Sequence, residues 1–130
     1  MPLDNTAVAQ RISDNILSTD DGILAISIMD IKGNILAAKS KQSFKETFGL
    51  TIGGEKYAGI LAIATLSLVN EVKDIFGEAQ AIITIHDNCK LMLLPIPSYG
   101  LLVGLVLQRS VNAEDAHIAS RIETLLAAHK

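Results

Sequence analysis

The chain has 130 residues, of which 49% are hydrophobic and 19% charged, with one cysteine and a formal net charge of −3. This length supports one domain over residues 1–130, with a core that needs neither disulfides nor metal; the lone cysteine excludes an internal disulfide and fits a reducing compartment. The acidic balance argues against a general nucleic-acid binder, which would present a basic face, and a charged fraction below the usual value of about 25% leaves apolar side chains in need of cover.

The opening Met1-Pro2-Leu3-Asp4 lacks the basic-then-apolar pattern of a signal peptide, and no Asn-x-Ser/Thr acceptor occurs, so a cytoplasmic location is expected. A helix is predicted from about Asp4 to Leu17, capped by Asp4 or Asn5, with Val8, Ile12 and Ile16 as its apolar stripe. After the breaker Ser18–Gly22 comes a strand from Ile23 to Met29. A turn through Asp30–Asn34, using Gly33 or Asn34 for positive φ, leads to a second strand from Ile35 to Ala38. The first of these strands shows almost no polar alternation and is expected to be covered on both faces.

Ser40 to Gly54 reads as an ordered loop or short helix. Gly53 and Gly54 precede a long helix from about Glu55 to Phe76, which Gly77 stops. Within it, Ala58 to Val69 is the longest strongly apolar run. Thr65 and Ser67 interrupt it, and it falls short of the roughly 20 residues that a bilayer requires, so no membrane span is expected. Three strands follow: Ala79 to Ile85, Lys90 to Leu94 and Leu101 to Leu107. His86-Asp87-Asn88 joins the first two, and Pro95 to Gly100 ends the second. A last helix starts at Asn112, with Glu114 and Asp115 in its first turn and Ile118, Ile122 and Leu125 as its stripe.

The order is α-β-β-α-β-β-β-α. Hairpins require antiparallel neighbours, and strands apolar on both faces require helices on both sides. The expected class is therefore α+β, a three-layer α/β/α sandwich around a five-stranded antiparallel sheet.

The long middle helix carries two apolar faces. Tyr57, Leu61, Leu68, Val72, Ile75 and Phe76 gather on one, which is expected to lie on the sheet. Gly59, Ala62, Ile63 and Leu66 form a second stripe that continues into Asn70 and Lys73. A helix packed on a sheet by one face normally shows water the other. This second stripe therefore either lies under the loop Ser40–Gly54, with Phe44 and Phe48 as the cover, or meets a second copy; composition favours the second copy.

No catalytic, metal or cofactor site is expected. Gly49–Lys56 resembles a phosphate loop, but Glu55 separates Gly54 from Lys56, Tyr57 follows the lysine and no strand precedes it. His86, Asp87 and Cys89 lie close together without the second pair that zinc needs, while His117 and His129 are far along the chain. The group reads as a solvated turn with a half-buried Cys89. Ser98 lies in no nucleophile elbow. Asp20-Asp21 and Glu114-Asp115 read as turn and capping charges. Lys39, Lys41 and Lys45 read as a solvated face, and Tyr99-Gly100 as turn chemistry.

The element order, together with Gly22-Ile23-Leu24-Ala25-Ile26-Ser27-Ile28-Met29-Asp30 followed by Gly33-Asn34-Ile35-Leu36-Ala37, resembles the Roadblock/dynein light chain superfamily, which is related to longin domains. The final strand Gly100–Leu107 is similar too, and the composition resembles an archaeal branch. The resemblance implies a dimer in which central helices meet and the strand after them pairs with its twin, here through Ala81, Ile83 and Ile85 alongside Gly59, Ala62, Ile63, Leu66, Asn70 and Lys73. It also implies a non-enzymatic dimeric adaptor, homodimeric or heterodimeric, that scaffolds or regulates a small Ras-like GTPase or serves as a motor-complex light chain; of the two pairings a homodimer is expected. The loop Ser40–Gly54 is longer than the compact pattern. The alternative is a profilin-like or PAS-like sensory module holding a small ligand between sheet and helix, since Ala- and Gly-rich strands can leave a cavity. An enzyme using Cys89 or His86 ranks third. If the second stripe is the pairing face, Leu66→Glu leaves a folded monomer and shifts the dimer toward it in light scattering; unchanged mass and stability would place the pairing face elsewhere.

Overall fold

The computed structural model of the chain describes residues 5–19, 21–30, 32, 34–42, 64, 67, 70–111 and 118–128. Helix α1 (Asn5–Thr19) turns Val8, Ala9, Ile12 and Ile16 inward, the expected stripe widened by one alanine. Ser13 is fully buried in the same stripe. Its hydroxyl donates to the Ala9 carbonyl at 2.8 Å, which offsets the cost of removing it from water. Asp4, the capping side chain of Asn5, Gly33 and the stretches 43–63 and 112–117 lie outside what is described.

Strands β1 (Ile23–Asp30) and β2 (Ile35–Ser40) form the predicted hairpin. Its turn is organised by Asp30. One carboxylate oxygen accepts the backbone N–H groups of Lys32 and Asn34 at 2.9 and 3.0 Å, and the other accepts the Asn34 side-chain amide at 2.9 Å. The hydrogen bond from the Asn34 side chain is the main cause holding the Asp30 carboxyl below its ordinary value.

Helix α2 (Lys73–Phe76) is the end of the predicted middle helix, and Gly77 stops it as expected, at φ 84° with its N–H donating to the Lys73 carbonyl at 2.8 Å. Strand β3 (Ile82–Ile85), β4 (Cys89–Ile96), a 3₁₀ turn (Pro97–Tyr99), β5 (Leu101–Gln108) and helix α3 (Ile118–Ala127) follow. Gly100 leaves the 3₁₀ turn in the left-handed region at φ 64°, so Tyr99-Gly100 is turn chemistry. The five strands form one antiparallel sheet in the order β2-β1-β5-β4-β3, the expected class.

Several strand ends differ from expectation, and Pro95 bears on two of them, the start of β3 and the end of β4. His86 N–H donates to Cys89 C=O at 2.9 Å, so these two face each other as a hydrogen-bonded pair. Such pairs recur at every second position of an antiparallel ladder. Thr84–Leu91 and Ile82–Leu93 are therefore the next ones, and Gln80–Pro95 would follow. Pro95 has no N–H to give. The β3 ladder stops at Ile82 instead of reaching Ala79, while β4 runs on through Pro95 to Ile96, because its remaining bonds are made with β5.

Helices α1 and α3 cover one face of the sheet. Ile26, Ile28, Met92, Leu94, Ile96, Val103, Leu105 and Leu107 meet the α1 stripe and Ile118, Ile122 and Leu126 there. Leu126 replaces the predicted Leu125 as the fully buried residue of the last turn, with Leu125 half-buried beside it. On the opposite face Met29 and Leu102, register partners, are each only 1% exposed, with Leu93 against them. Both faces thus bury apolar side chains, as three layers require.

Two measurements test these turns. Asp30→Ala should cost roughly 1 kcal/mol in urea unfolding at neutral pH through lost turn hydrogen bonds. Because the folded carboxyl titrates below the unfolded reference of 3.8, its contribution is whole above that pH and is lost as pH falls through the lowered folded value. Wild type and variant should therefore converge in stability in that acid range, and a gap that persists there would assign the effect to something other than the carboxylate. The Cys89 thiol is half-buried and pushed up by desolvation. Iodoacetamide at pH 8 should label it several-fold more slowly than the urea-unfolded chain; equal rates would mean that the thiol is open to water.

Candidate interaction surface

The predicted site residues divide into three groups. Gly59, Ala62, Ile63 and Leu66 lie outside the described residues. Asn70 and Lys73 are exposed on the end of the central helix, and the Lys73 ammonium stands 3.5 Å from Glu78. Ala81, Ile83 and Ile85 belong to the segment after it. Ala81 is exposed and precedes β3; Ile83 is half-buried against the main core; Ile85 is 62% exposed.

Strand β3 is an edge of the sheet. The ladder geometry above fixes which of its backbone groups are in use. Ile82 and Thr84 turn their N–H and C=O toward β4, so Ile83 and Ile85 turn theirs away from it. The strand Ile82-Ile83-Thr84-Ile85 carries no charge. The other edge, β2, is different: it packs beside α1, and Lys39 on it pairs with Asp14 of α1 at 2.6 Å. An edge lysine is a common guard against strand addition. That pair also removes Lys39 from any free basic patch; Lys45 lies outside the described residues.

Val72, Ile75 and Phe76, expected on the sheet, are instead exposed by 38%, 77% and 78%, and none joins either apolar cluster. Tyr57, Leu61 and Leu68 of the same predicted face lie outside the described residues. Helical periodicity tells which residues share a face; it does not tell how far along that face the sheet extends. With Ile85, the three exposed residues make four large apolar side chains in water, clustered in sequence around Gly77 and β3. Covering each of them would contribute about 1–2 kcal/mol. Residues 72, 75 and 76 were legible as apolar but not as exposed, since no sequence signal separates a sheet-facing end of a helix from an overhanging one.

Chemistry of other kinds is thin here. The Gly49–Lys56 segment lies outside the described residues. The Thr84 hydroxyl and His86 Nε2 are 2.9 Å apart on an exposed turn, and among the described residues no three His, Cys, Asp or Glu side chains come together as metal ligands. The ligand-cavity alternative draws on small residues in the strands. At Gly104 the space is filled: a Cβ there would stand 3.2 Å from the Ser27 hydroxyl. That glycine permits a close approach between β5 and β1 and leaves no void.

No protein-family model matches the sequence, and no curated protein matches it. Solved structures do match in fold. The gliding protein MglB from Thermus thermophilus superposes with a TM-score of 0.74 at 13% identity, covering 98% of this chain and 92% of that one. The Roadblock/LC7 domain from Streptomyces avermitilis gives 0.70 at 13% identity, with 92% of each chain covered. A chain of the LokiProfilin1–rabbit actin complex gives 0.55 at 13% identity, with 98% of this chain and 96% of that one covered. The strand order, the hairpin held by Asp30 and these superpositions agree, and the chain has the Roadblock/LC7, longin-like fold.

Proposed function

We propose that this chain is a non-enzymatic homodimeric adaptor of the cytoplasm that scaffolds or regulates a small Ras-like GTPase. The observation that carries the reading is the uncharged edge strand β3, with Ile85 exposed on it and Val72, Ile75 and Phe76 exposed just before it in sequence, on a fold shared with Roadblock/LC7 and MglB proteins. Two copies joined along β3 would continue one sheet across the pair and bring Ile85 out of water. The GTPase half of the proposal rests on the resemblance of the opening hairpin and element order to that superfamily.

A profilin-like binding module is the second reading, supported by the match to the LokiProfilin1–actin complex, whose TM-score is the lower one. The two readings differ in what they ask of β3. An adaptor of the first kind uses it to pair; a monomeric module leaves it open.

The test is light scattering down to low micromolar concentration, followed by pull-down of small GTPases from the same cell. A persistent dimer that retains a GTPase or alters its hydrolysis supports the proposal. In the same assay Ile85→Asp should lower dimer affinity at least tenfold, about 1.4 kcal/mol, while the chain stays folded by circular dichroism. A monomer at all concentrations, or a dimer that neither binds nor affects any GTPase, would sink the corresponding half.

A further inference from the structure

The parity of the β3 ladder determines which backbone groups of that strand point away from β4. Ile83 and Ile85 are the outward-facing residues of the strand, and Thr84 between them turns its backbone toward β4. When two identical strands pair antiparallel about a two-fold axis, residue numbers across the pair add to a constant. Outward groups must meet outward groups for hydrogen bonds to form. The axis can therefore pass only through residue 83, 84 or 85.

An axis at Ile83 would pair Ile85 with Ala81 of the second copy, which lies outside β3. An axis at Ile85 would pair Ile83 with Asp87, in the turn between β3 and β4. An axis at Thr84 pairs Ile83 with Ile85 twice and keeps both pairs within Ile82–Ile85. Ile83 and Ile85 point to the same face as Met92 and Lys90, so each exposed Ile85 would pack on the half-buried Ile83 of the other copy. The strand carries no charge to repel its twin.

We propose that Thr84 lies on the two-fold axis of a β3–β3 pair, with Ile83 opposite Ile85 of the second copy. This rests on the pairing reading above and adds the register to it. In that register the two Thr84 residues form a non-hydrogen-bonded pair, with Cα atoms about 4.5 Å apart, close enough for a disulfide. The two Ile83 residues, and the two Ile85 residues, are then diagonal neighbours at about 7–8 Å or beyond, too far for one.

The experiment places single cysteines in a Cys89→Ser background: Thr84→Cys, Ile83→Cys and Ile85→Cys. Each full-length variant is mildly oxidised and run on a non-reducing gel, with its mass before oxidation read by light scattering. The expected result is a dimer before oxidation and a doubled mass on the gel for Thr84→Cys, at least fivefold more than for either neighbour. A dimer that cross-links best through position 83 or 85 overturns the register and leaves the pairing standing. A dimer in which none of the three cross-links moves the interface off β3. A monomer overturns pairing and register together.

Discussion

The pairing of β1 with β5 is the contact on which the rest of the molecule depends. The other three strand pairings are hairpins between consecutive strands, each closed by a short turn. β1 and β5 are separated by most of the chain, yet they pair along nearly their full length, from Ile23–Leu107 to Asp30–Leu101. Ordering so long a loop costs entropy, and that cost has to be offset by what the pairing buries. It buries apolar side chains on both faces, with Ile26, Ile28, Val103 and Leu105 facing the main core and Met29 and Leu102 facing the other way.

Joining these two strands also brings the ends of the chain together. α1 leads into β1 and α3 follows β5, so both helices arrive on the same face of the sheet. Their stripes, Val8–Ile12–Ile16 and Ile118–Ile122–Leu126, share one core over the central strands. Without the β1–β5 pairing neither helix would have a surface broad enough to cover. Local features support this arrangement without specifying it: Ser13 is satisfied within its own helix, and Asp30 holds its own turn.

A central β1–β5 pair pushes β2 and β3 to the two margins, and these margins are unlike. β2 has α1 beside it and a lysine committed to an ion pair, a weak interaction at the surface but an effective obstacle to an incoming strand. β3 has no charge and no such neighbour among the described residues, and Pro95 limits it to four residues. The two edges are thus unlike in charge and in what packs beside them among the described residues. The exposed Val72, Ile75 and Phe76 lie just upstream of that edge in sequence.

The sequence by itself determined the existence of all five strands, the stripe of α1, the stop at Gly77 and the hairpin through Asp30, which follow from periodicity and turn chemistry over a few residues. The second stripe of the middle helix, Gly59, Ala62, Ile63 and Leu66, lies outside the described residues and stays an expectation. The tertiary structure alone decided the order β2-β1-β5-β4-β3, the end of β3 opposite Pro95, the guarding of β2 by Lys39 and Asp14, and the overhang of Ile75 and Phe76. The physical reason is range. A helix stripe or a hairpin is set by neighbours a few residues apart, whereas an open edge, an overhanging turn and an ion pair between α1 and β2 exist only once distant strands have paired.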